Sequence, residues 1–316
     1  MVEERVDAEK IQISIVVCTY NRSQLLRLCL ESLINQSLDK EQYEIIVVNN
    51  NCSDGTSRVL KEFMARYPNI LMVEERKQGI SYARNRGYKE ARGEFVAYID
   101  DDARADGDWV RRILDAFKAV TPSPSAVGGK ALAFCLEKKP EWFLDEYETR
   151  SWGEQAGFLN GKRAAYGFYG TNMAFPRKIL VDHGGFPVDL GMQGEKMGFG
   201  EETALFNRLV CDNPYFWYDP EIKVEHLIQQ YKMKVRYRLK RQFLGGVYDV
   251  RARDLEASPS AIVKFTILAV LRGVILLLRT KWWRDQRRSN FMKYAKPFME
   301  TSGRSYELIV SYLRAG

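Results

Sequence analysis

The segment Phe95-Val96-Ala97-Tyr98-Ile99-Asp100-Asp101-Asp102 decides the fold, because an apolar run leads directly into three consecutive carboxylates. A short, continuous apolar run is typical of a strand buried on both faces of a parallel sheet. Adjacent carboxylates repel one another and so favour a cation; Mg²⁺ is held by one or two carboxylates together with phosphate oxygens. The segment predicts a buried strand that ends at a divalent-metal site. A solvated acidic turn, extended by Asp106 and Asp108, is the competing interpretation.

Three earlier apolar runs, each followed by a segment with helical spacing, precede this strand. We predict strands at residues 13–17, 45–48 and 70–73, and helices at residues 25–34, 59–63 and 81–90. Continuous apolar strands that alternate with helices are typical of an α/β fold with a parallel sheet covered on both faces. In such sheets, ligands bind beyond the carboxyl ends of the strands. The polar clusters at residues 19–22, 49–51 and 100–102 each follow a strand, so we expect them to converge at one edge.

The size and composition of the chain are those of a large globular domain, alone or with an appendage. The chain has 316 residues, of which 46% are hydrophobic and 28% are charged, and this content argues against disorder. Its five cysteines form no CxxC pair, which indicates neither a disulfide framework nor a zinc site and fits a reducing compartment. The first ten residues are polar and lack an apolar core, so we expect a cytoplasmic location.

The charge of the chain is divided unequally between its two parts. Residues 228–316 carry 19 Lys and Arg against 6 Asp and Glu, a net charge of +13, which leaves −6 for the rest of a chain whose total is +7. An acidic front suits a site that concentrates metal ions. A basic tail suits an anionic membrane, an anionic acceptor or nucleic acid. Basic and aromatic residues interleave at 231–243, but no nucleic-acid-binding motif accompanies them, so we expect no nucleic-acid partner.

The tail contains one strongly apolar segment, residues 261–278, which includes two cations. Its longest uninterrupted stretch, residues 273–278, is far shorter than the ~20 residues that span a bilayer. Trp282 and Trp283 follow, flanked by further cations. This combination favours a helix that lies in the membrane interface, with residues 258–316 as the peripheral membrane contact. A helix packed on the protein's own core is the alternative.

The segment from Gly198 to Leu209 is predicted to be a loop that enters a helix. Leu205 and Leu209 are one turn apart and should face the core, which places Glu202 in the first turn. The helix dipole alone favours an acidic side chain there. A carboxylate at this position can equally act as a general base for an acceptor hydroxyl, and the residues leave both interpretations open.

Seven motifs occur in an order that resembles the family 2 glycosyltransferases. They lie at residues 17–22, 50–56, 79–87, 91–102, 170–175, 184–186 and 200–209. The resemblance implies the GT-A fold, a three-layer α/β/α sandwich with a mostly parallel central sheet, followed here by a C-terminal helical extension. It implies a catalytic domain at 1–227, with a nucleotide-sugar half near 11–130 and an acceptor half near 131–227, and a basic helical region at 228–316.

The same resemblance implies the reaction. An inverting hexosyltransferase would move a sugar from a nucleoside-diphosphate sugar to a hydroxyl of a saccharide or a lipid-linked acceptor. A divalent metal, Mn²⁺ or Mg²⁺, would assist the departing diphosphate, so that a single displacement needs no covalent intermediate. A UDP-sugar is the favoured donor and a GDP-sugar the second choice. With such an acceptor, the enzyme would be peripheral on the inner face of the cell membrane.

The motif positions also imply which side chains bind the donor and the metal. The donor-contacting set is Thr19, Tyr20, Arg22, Asn49, Asn51, Arg84, Asp100 and Asp101. Within it, Asp100 would lie near the ribose and also reach the metal, which Asp102 holds. The family often carries Asp where Asn49 stands, and this departure leaves the nucleotide preference open.

The catalytic base is implied at Glu202, with Glu201 as the alternative because two glutamates occupy the motif. His226 follows the predicted strand at 222–225 and resembles the histidine that some related enzymes place on the metal. A structural histidine is the alternative. On the acceptor side we predict contacts from Tyr169, Asn172 and Trp142, although an aromatic cluster such as the one around Trp142 is more often part of a core.

Other classes of protein share some of these features. A nucleotidyltransferase also has a three-layer fold and metal-binding aspartates, but it needs a glycine-rich basic loop after the first strand, and residues 19–23 contain no glycine. A processive synthase carries several spanning helices, and the sequence offers none of convincing length. We therefore favour a transferase that makes a single addition over a processive synthase. A basic protein that binds membranes or nucleic acid is a further alternative.

Overall fold

The computed structural model describes residues 11–212, 214–281 and 288–315 of the chain. Within these residues, nine strands and ten α-helices follow one another, and the first half alternates strand and helix. The strands are β1 Ile13–Thr19, β2 Tyr43–Asn49, β3 Ile70–Glu74, β4 Phe95–Asp100, β5 Ala103–Ala105, β6 Ala126–Phe134, β7 Gly157–Phe158, β8 Met173–Pro176 and β9 Phe216–Leu227. The helices are α1 Ser23–Leu33, α2 Thr56–Met64, α3 Ile80–Glu90, α4 Trp109–Ala119, α5 Gly161–Tyr166, α6 Arg177–Asp182, α7 Glu201–Asp212, α8 Val235–Ala252, α9 Pro259–Lys281 and α10 Arg288–Ala315.

All nine strands form one sheet, in the order β3-β2-β1-β4-β8-β6-β9-β5, with β7 paired to β9. The first four strands of this order are parallel, as predicted. Strand β8 is antiparallel to both of its neighbours, whereas β6 and β9 are parallel to each other. Strand β2 lies on one side of β1, and β4, which comes later in the chain, lies on the other side. The strand order therefore reverses at β1. Ligands bind at such a reversal, beyond the carboxyl ends of the two strands.

Helices cover the sheet on both faces, which confirms the predicted three layers. Alternate side chains of a strand point to opposite faces. Ile15 and Val17 of β1 join a buried cluster with α1, α2 and α4, whereas Val16 joins a second cluster with α3 and α7. The sheet is therefore buried on both faces, and this explains why its strands are continuous apolar runs.

Helix α7 begins at Glu201, so both glutamates lie in its first turn. Leu205 and Leu209 are fully buried, which confirms that this face of the helix packs on the core. The register fixed by these two leucines directs the first turn of α7 towards the carboxyl edge of the sheet.

The C-terminal helices pack on the rest of the chain through two buried clusters. Tyr248 of α8 packs with Leu190, and Met292 of α10 packs with Trp142. Helices α8 and α10 cross in close contact at two glycines. A Cβ at Gly246 would lie 1.9 Å from a carbonyl oxygen of α10, and one at Gly303 would lie 2.0 Å from a carbonyl oxygen of α8.

Helix α9 is longer than the sequence led us to expect. Residues Pro259–Arg279 are long and apolar enough to cross a membrane by length and composition, so the expectation of no segment of spanning length was wrong. The helix is continuous at both Lys264 and Arg272. Arg272 donates hydrogen bonds to Pro297 O and Thr301 of α10. The two tryptophans predicted for the interface, Trp282 and Trp283, lie outside the described residues.

Candidate functional site

The three polar clusters predicted from the sequence meet at the carboxyl edge of the sheet. Thr19, at the end of β1, pairs in register with Asn49 at the end of β2. On the other side of β1, Cys18 pairs with Asp100 at the end of β4. The site is therefore built where β1, β2 and β4 end, at the reversal of strand order.

Asp102 is buried and holds a network of three cationic or imidazole groups. His226 Nε2 lies 3.2 Å from Asp102 Oδ1. Lys232 Nζ lies 3.1 Å and Arg22 Nη1 3.2 Å from Asp102 Oδ2. Burial alone would raise the pKa of Asp102, but Lys232 and His226 lower it well below its ordinary value. Asp102 is therefore ionised.

The other two aspartates differ from Asp102 in their surroundings. Burial raises the pKa of Asp101 to about 6, against the opposing charge of Arg22, whose Nη1 lies 3.0 Å from Asp101 Oδ1. Burial also raises the pKa of Asp100, although Arg84 Nη2 lies 3.6 Å from its Oδ1. The structure thus gives the three adjacent carboxylates three different sets of partners.

Strand pairing brings a histidine to the aspartates. Strand β5 runs antiparallel to β9 with Ala103 opposite His226, and Leu227 N donates a 2.7 Å hydrogen bond to Asp102 O. One ligand atom each of Asp100, Asp102 and His226 lies within 4.8 Å of the others. The two carboxylates suit Mn²⁺ and Mg²⁺, and the imidazole favours Mn²⁺, the transition metal of the two. The residues therefore fit the metal that the sequence analysis implied.

A second cluster of charges faces the aspartates from α3 and α7. Arg84 is buried, and its Nη1 lies 2.9 Å from Glu201 Oε1 and 3.2 Å from Glu202 Oε1. Gly170 N donates a 3.1 Å hydrogen bond to Glu202 Oε1. Because Arg84 also reaches Asp100, the two clusters form one continuous site.

The two glutamates differ in exposure, and burial alters the pKa of Glu201. The Glu201 side chain is 7% exposed, whereas that of Glu202 is 22% exposed. Burial, followed by the charge of Glu202, raises the pKa of Glu201 to about 8. Glu201 is therefore protonated near neutral pH, whereas Glu202 is the more accessible carboxylate of the pair.

The loop after β2 is held by its asparagines. Asn49 Oδ1 accepts a 2.9 Å hydrogen bond from Cys52 N, and Asn51 Nδ2 donates a 2.7 Å bond to Arg76 O. Asn51 adopts a positive φ of 64°. Asn50, which the sequence analysis did not single out, is buried and accepts from Gly79 N at 2.8 Å. These asparagines shape the loop that flanks Thr19, and Tyr20 lies partly exposed beside it.

The predicted acceptor residues fare differently. Tyr169 is 42% exposed and adjoins Gly170 at the site. Asn172 is buried, and its amide donates to Lys130 O and Ile222 O while accepting from Trp109 Nε1. Because both of its amide hydrogens are donated within the fold, the acceptor role predicted for Asn172 is corrected to a structural one.

Trp142 also has a structural environment rather than an open one. It is 7% exposed and packs in a buried cluster with Phe143, Tyr147 and Met292. This aromatic cluster is therefore part of the core, as the alternative interpretation stated. The predicted contact between Trp142 and an acceptor is corrected to a structural role. Burial leaves no free ring face on which a sugar could stack.

Lys232 is the principal site residue that sequence reasoning missed. It lies in a short 3₁₀ turn after β9, is buried, and contacts Asp102 at 3.1 Å. It is 130 positions from Asp102, so no local pattern links the two residues. The only signal in the sequence is its position six residues after His226.

The sheet order and the acidic site at the reversal together define the GT-A class of transferases. The chain belongs to glycosyl transferase family 2, whose family model matches residues 14–184. It is accordingly a glycosyltransferase, and its mixed α/β architecture matches solved structures of that class.

Curated relatives agree with this membership, and solved structures share the fold. The chain is 28% identical over 248 residues to a glucosyl-dolichyl phosphate glucuronosyltransferase of Haloferax volcanii, covering 78% of each protein. It spans only 33% and 29% of two other curated glycosyltransferases. Its fold resembles the mannosyltransferase PcManGT from Pyrobaculum calidifontis in complex with GDP-Man and Mn²⁺, with a TM-score of 0.55 and 18% identity over 96% of this chain and 76% of that one. It resembles S. aureus TarS 1–349 in complex with UDP-GlcNAc, with a TM-score of 0.55 and 17% identity over 96% and 92%.

Proposed function

We propose that this glycosyltransferase moves a sugar from a nucleoside-diphosphate sugar, a UDP-sugar in preference to a GDP-sugar, to a hydroxyl of a saccharide carried on a lipid. One observation carries the proposal. Asp100, Asp102 and His226 lie together at the reversal of strand order, and Arg84 and Glu202 face them. A metal-binding set and a base on opposite sides of one crevice are what a direct displacement requires.

The donor would bind across the ends of β1, β2 and β4. Asp100, Asp102 and His226 would hold a divalent ion, which supplies Lewis-acid stabilisation of the departing diphosphate. Lys232 and Arg22 flank Asp102 and offer further cationic donors to phosphate oxygens at the same edge. Arg84 lies between Asp100 and the glutamates, so it can orient both the donor and the base.

Glu202 is the proposed base. Its carboxylate is oriented by Gly170 N at 3.1 Å and by Arg84 at 3.2 Å, and it is the more exposed of the two glutamates. It would take the proton of the acceptor hydroxyl as that oxygen attacks the anomeric carbon from the face opposite the diphosphate, with inversion. Glu201, protonated and buried, would position Arg84.

The lipid-linked acceptor is supported by one relative and by the exposed surface of α9. The Haloferax volcanii relative is named for a glucosyl-dolichyl phosphate substrate. The apolar side chains of α9 that stand out into solvent are Val263, Ile267, Val270, Leu271, Val274, Ile275, Leu277 and Leu278. We propose that this face lies in the membrane interface at the cytoplasmic side. Helix α10 contacts α9 through the hydroxyl groups of Ser305 and Thr266, and Arg304 ties it to Asp249 of α8. Because these contacts hold α9 against the rest of the chain, we favour an interfacial position of α9 over a full crossing.

Donor screening tests the proposal. The full chain is incubated with Mn²⁺ and a panel of nucleotide sugars, and thermal stability and released nucleotide are measured. We expect a metal-dependent stabilisation by one nucleoside diphosphate and release of that diphosphate during transfer. In Asp102→Asn both effects should be lost, whereas Asp106→Asn, in the exposed turn that follows, should behave as wild type. Full transfer in excess EDTA, or release of pyrophosphate instead of a nucleoside diphosphate, would contradict it.

A further inference from the structure

Four cations gather around the Tyr147 backbone and ring, outside the site described so far. Arg150 Nη1 and Arg238 Nη2 both donate to Tyr147 O, at 3.2 Å and 2.8 Å. Lys296 Nζ lies 4.4 Å from the centre of the Tyr147 ring. Arg241, one turn beyond Arg238 on α8, completes the set, which we call the cation cluster. Two guanidinium groups on one carbonyl oxygen place like charges in close proximity.

The cation cluster is only partly neutralised by the protein. In the described part of the chain its buried anion is Glu148, which is paired with Arg238 and whose pKa, against its burial, is lowered to about 2 by the charges of Arg241, Arg238 and Arg150. Burial and the charges of Arg241 and Arg238 lower the pKa of Arg150, and burial with Arg238 and Arg150 lowers the pKa of Lys296. Because the members of the cluster are all positively charged, they repel one another. An additional anion between them would therefore stabilise the folded protein.

Two members of the cluster have side chains that no carboxylate holds. Arg241 lies 5.4 Å from the Phe199 ring, and in the described ranges neither Arg241 nor Lys296 has a carboxylate within ion-pair distance. Exposed Glu146 lies close enough to raise the pKa of Lys296, but burial and the neighbouring cations outweigh it. Donors that are partly buried and unpaired are suited to a ligand with several oxygens, because each oxygen can accept from more than one cation.

The cation cluster lies between the reaction site and the apolar helix. Arg150 stacks on the Tyr169 ring at 5.0 Å, and the next residue, Gly170, donates to Glu202. On the other side, Lys296 precedes Pro297, whose carbonyl accepts from Arg272 of α9 at 3.0 Å. A molecule with a saccharide at one end, an apolar chain at the other and an anion between them would match this order of surfaces.

We infer that the cation cluster binds the phosphate or diphosphate group of the lipid acceptor, and so sets how far the acceptor saccharide reaches towards Glu202. This inference rests on the proposed function. A guanidinium group binds phosphate through two parallel hydrogen bonds, which fixes direction as well as distance. Membrane headgroups would first meet exposed cations such as Lys234, directly before α8, and Lys240 of α8, whereas Arg241 and Lys296 are only partly exposed.

Matched double variants separate the cluster from general surface charge. Arg241→Gln with Lys296→Gln removes the two unpaired members. Lys234→Gln with Lys240→Gln removes the same charge from exposed positions at and directly before the start of α8. The probes are farnesyl phosphate, farnesol and inorganic pyrophosphate, with binding to the full chain measured by calorimetry. We expect the cluster variant to bind farnesyl phosphate at least tenfold more weakly than wild type. The surface variant should keep wild-type affinity, and farnesol should bind weakly to all three proteins.

Three results would overturn the inference. Equal affinity of both variants for farnesyl phosphate would mean that the cluster does not bind the anion. Weaker binding of UDP with Mn²⁺ to the cluster variant would assign the cluster to the donor diphosphate. Loss of binding to phosphatidylglycerol vesicles, with affinity for farnesyl phosphate intact, would assign it to the membrane. Wild-type transfer from a nucleotide sugar is measured alongside, because its absence would instead count against the proposed function.

Discussion

At the scale of single residues, the environments of Glu201 and Glu202 assign them different tasks. Both carboxylates reach Arg84, and one guanidinium cannot fully compensate two charges in a buried site. The more deeply buried group therefore keeps its proton. This division leaves Glu202 as the accessible carboxylate at the mouth of the site, where a general base would act.

Substitution of the two glutamates tests this division. We expect Glu202→Gln to lower kcat by roughly 10²–10⁴-fold, the usual contribution of a general base, with little change in donor affinity. Glu201→Gln keeps the hydrogen bond to Arg84 and should cause a much smaller loss. Turnover with saturating donor, together with nucleotide binding by thermal shift, provides the measurement. If Glu201→Gln is the inactive variant, Glu201 is the base.

The raised pKa of Glu201 also predicts how stability depends on pH. The folded protein binds a proton that the unfolded chain releases at its ordinary pKa, so stability falls as pH rises from about 4.5 through about 8. The slope is at most about 1.4 kcal/mol per pH unit. Glu201→Gln removes this contribution.

Denaturant unfolding at intervals between pH 5 and pH 8 measures the difference in the free energy of unfolding. We expect the variant to gain on wild type as the pH rises, whereas Glu137→Gln, at an exposed position, should follow wild type throughout. A difference between Glu201→Gln and wild type that stays constant over this range would show that Glu201 is ionised in the folded protein.

Local sequence patterns revealed only part of the site. Asp100 to Asp102 and the glutamate pair stand at element boundaries, where chain order and helix register are enough to place them. Lys232 and the pairing of Ala103 with His226 depend on β9 returning to β5, a contact between segments more than 120 positions apart. The burial of Asn172 likewise depends on three distant segments, so its structural role was not visible locally.

At the scale of elements, the parallel half of the sheet was predictable and the other half was less so. Strands β1 to β4 are buried on both faces and are therefore continuous apolar runs, which the sequence displays directly. Strand β9 alternates buried and partly exposed residues and includes Pro220, so only its residues 222–225 were predicted. The length of α9 was underestimated because its cations were counted as interruptions, although Arg272 is satisfied by α10.

The crossing of α8 and α10 makes a prediction about adjacent glycines. A Cβ at Gly246 would lie 1.9 Å from Glu300 O, whereas one at Gly245 would meet nothing within 4 Å. We expect Gly246→Ala to destabilise the protein by roughly 1–3 kcal/mol through a backbone clash. Gly245→Ala should stabilise it by up to about 1 kcal/mol, because alanine is the better helix former. Thermal unfolding of both variants provides the measurement, and equal effects would exclude a close crossing.

At the scale of the whole molecule, the proposed membrane contact would give the enzyme an orientation. The acidic part of the chain holds the proposed donor site, and the basic part carries the cation cluster and α9. With the apolar face of α9 against a membrane, the cation cluster would lie between the membrane and Glu202. A lipid-linked acceptor would then enter from the membrane side, while the soluble donor enters at the carboxyl edge of the sheet.

The orientation predicts that membrane binding depends on the exposed face of α9. Leu271 and Leu278 are 55% and 59% exposed. Replacing both by Glu removes two apolar side chains from the interface, each worth roughly 1.5–3 kcal/mol when fully buried, and adds charges that anionic lipids repel. Val181→Glu with Val188→Glu makes a matched change in α6 and the loop that follows it. Sedimentation with vesicles of phosphatidylcholine and phosphatidylglycerol should show at least a hundredfold loss for the α9 variant and none for the α6 variant. An α9 variant that sediments like wild type would mean that this face packs against another protein surface instead of lipid.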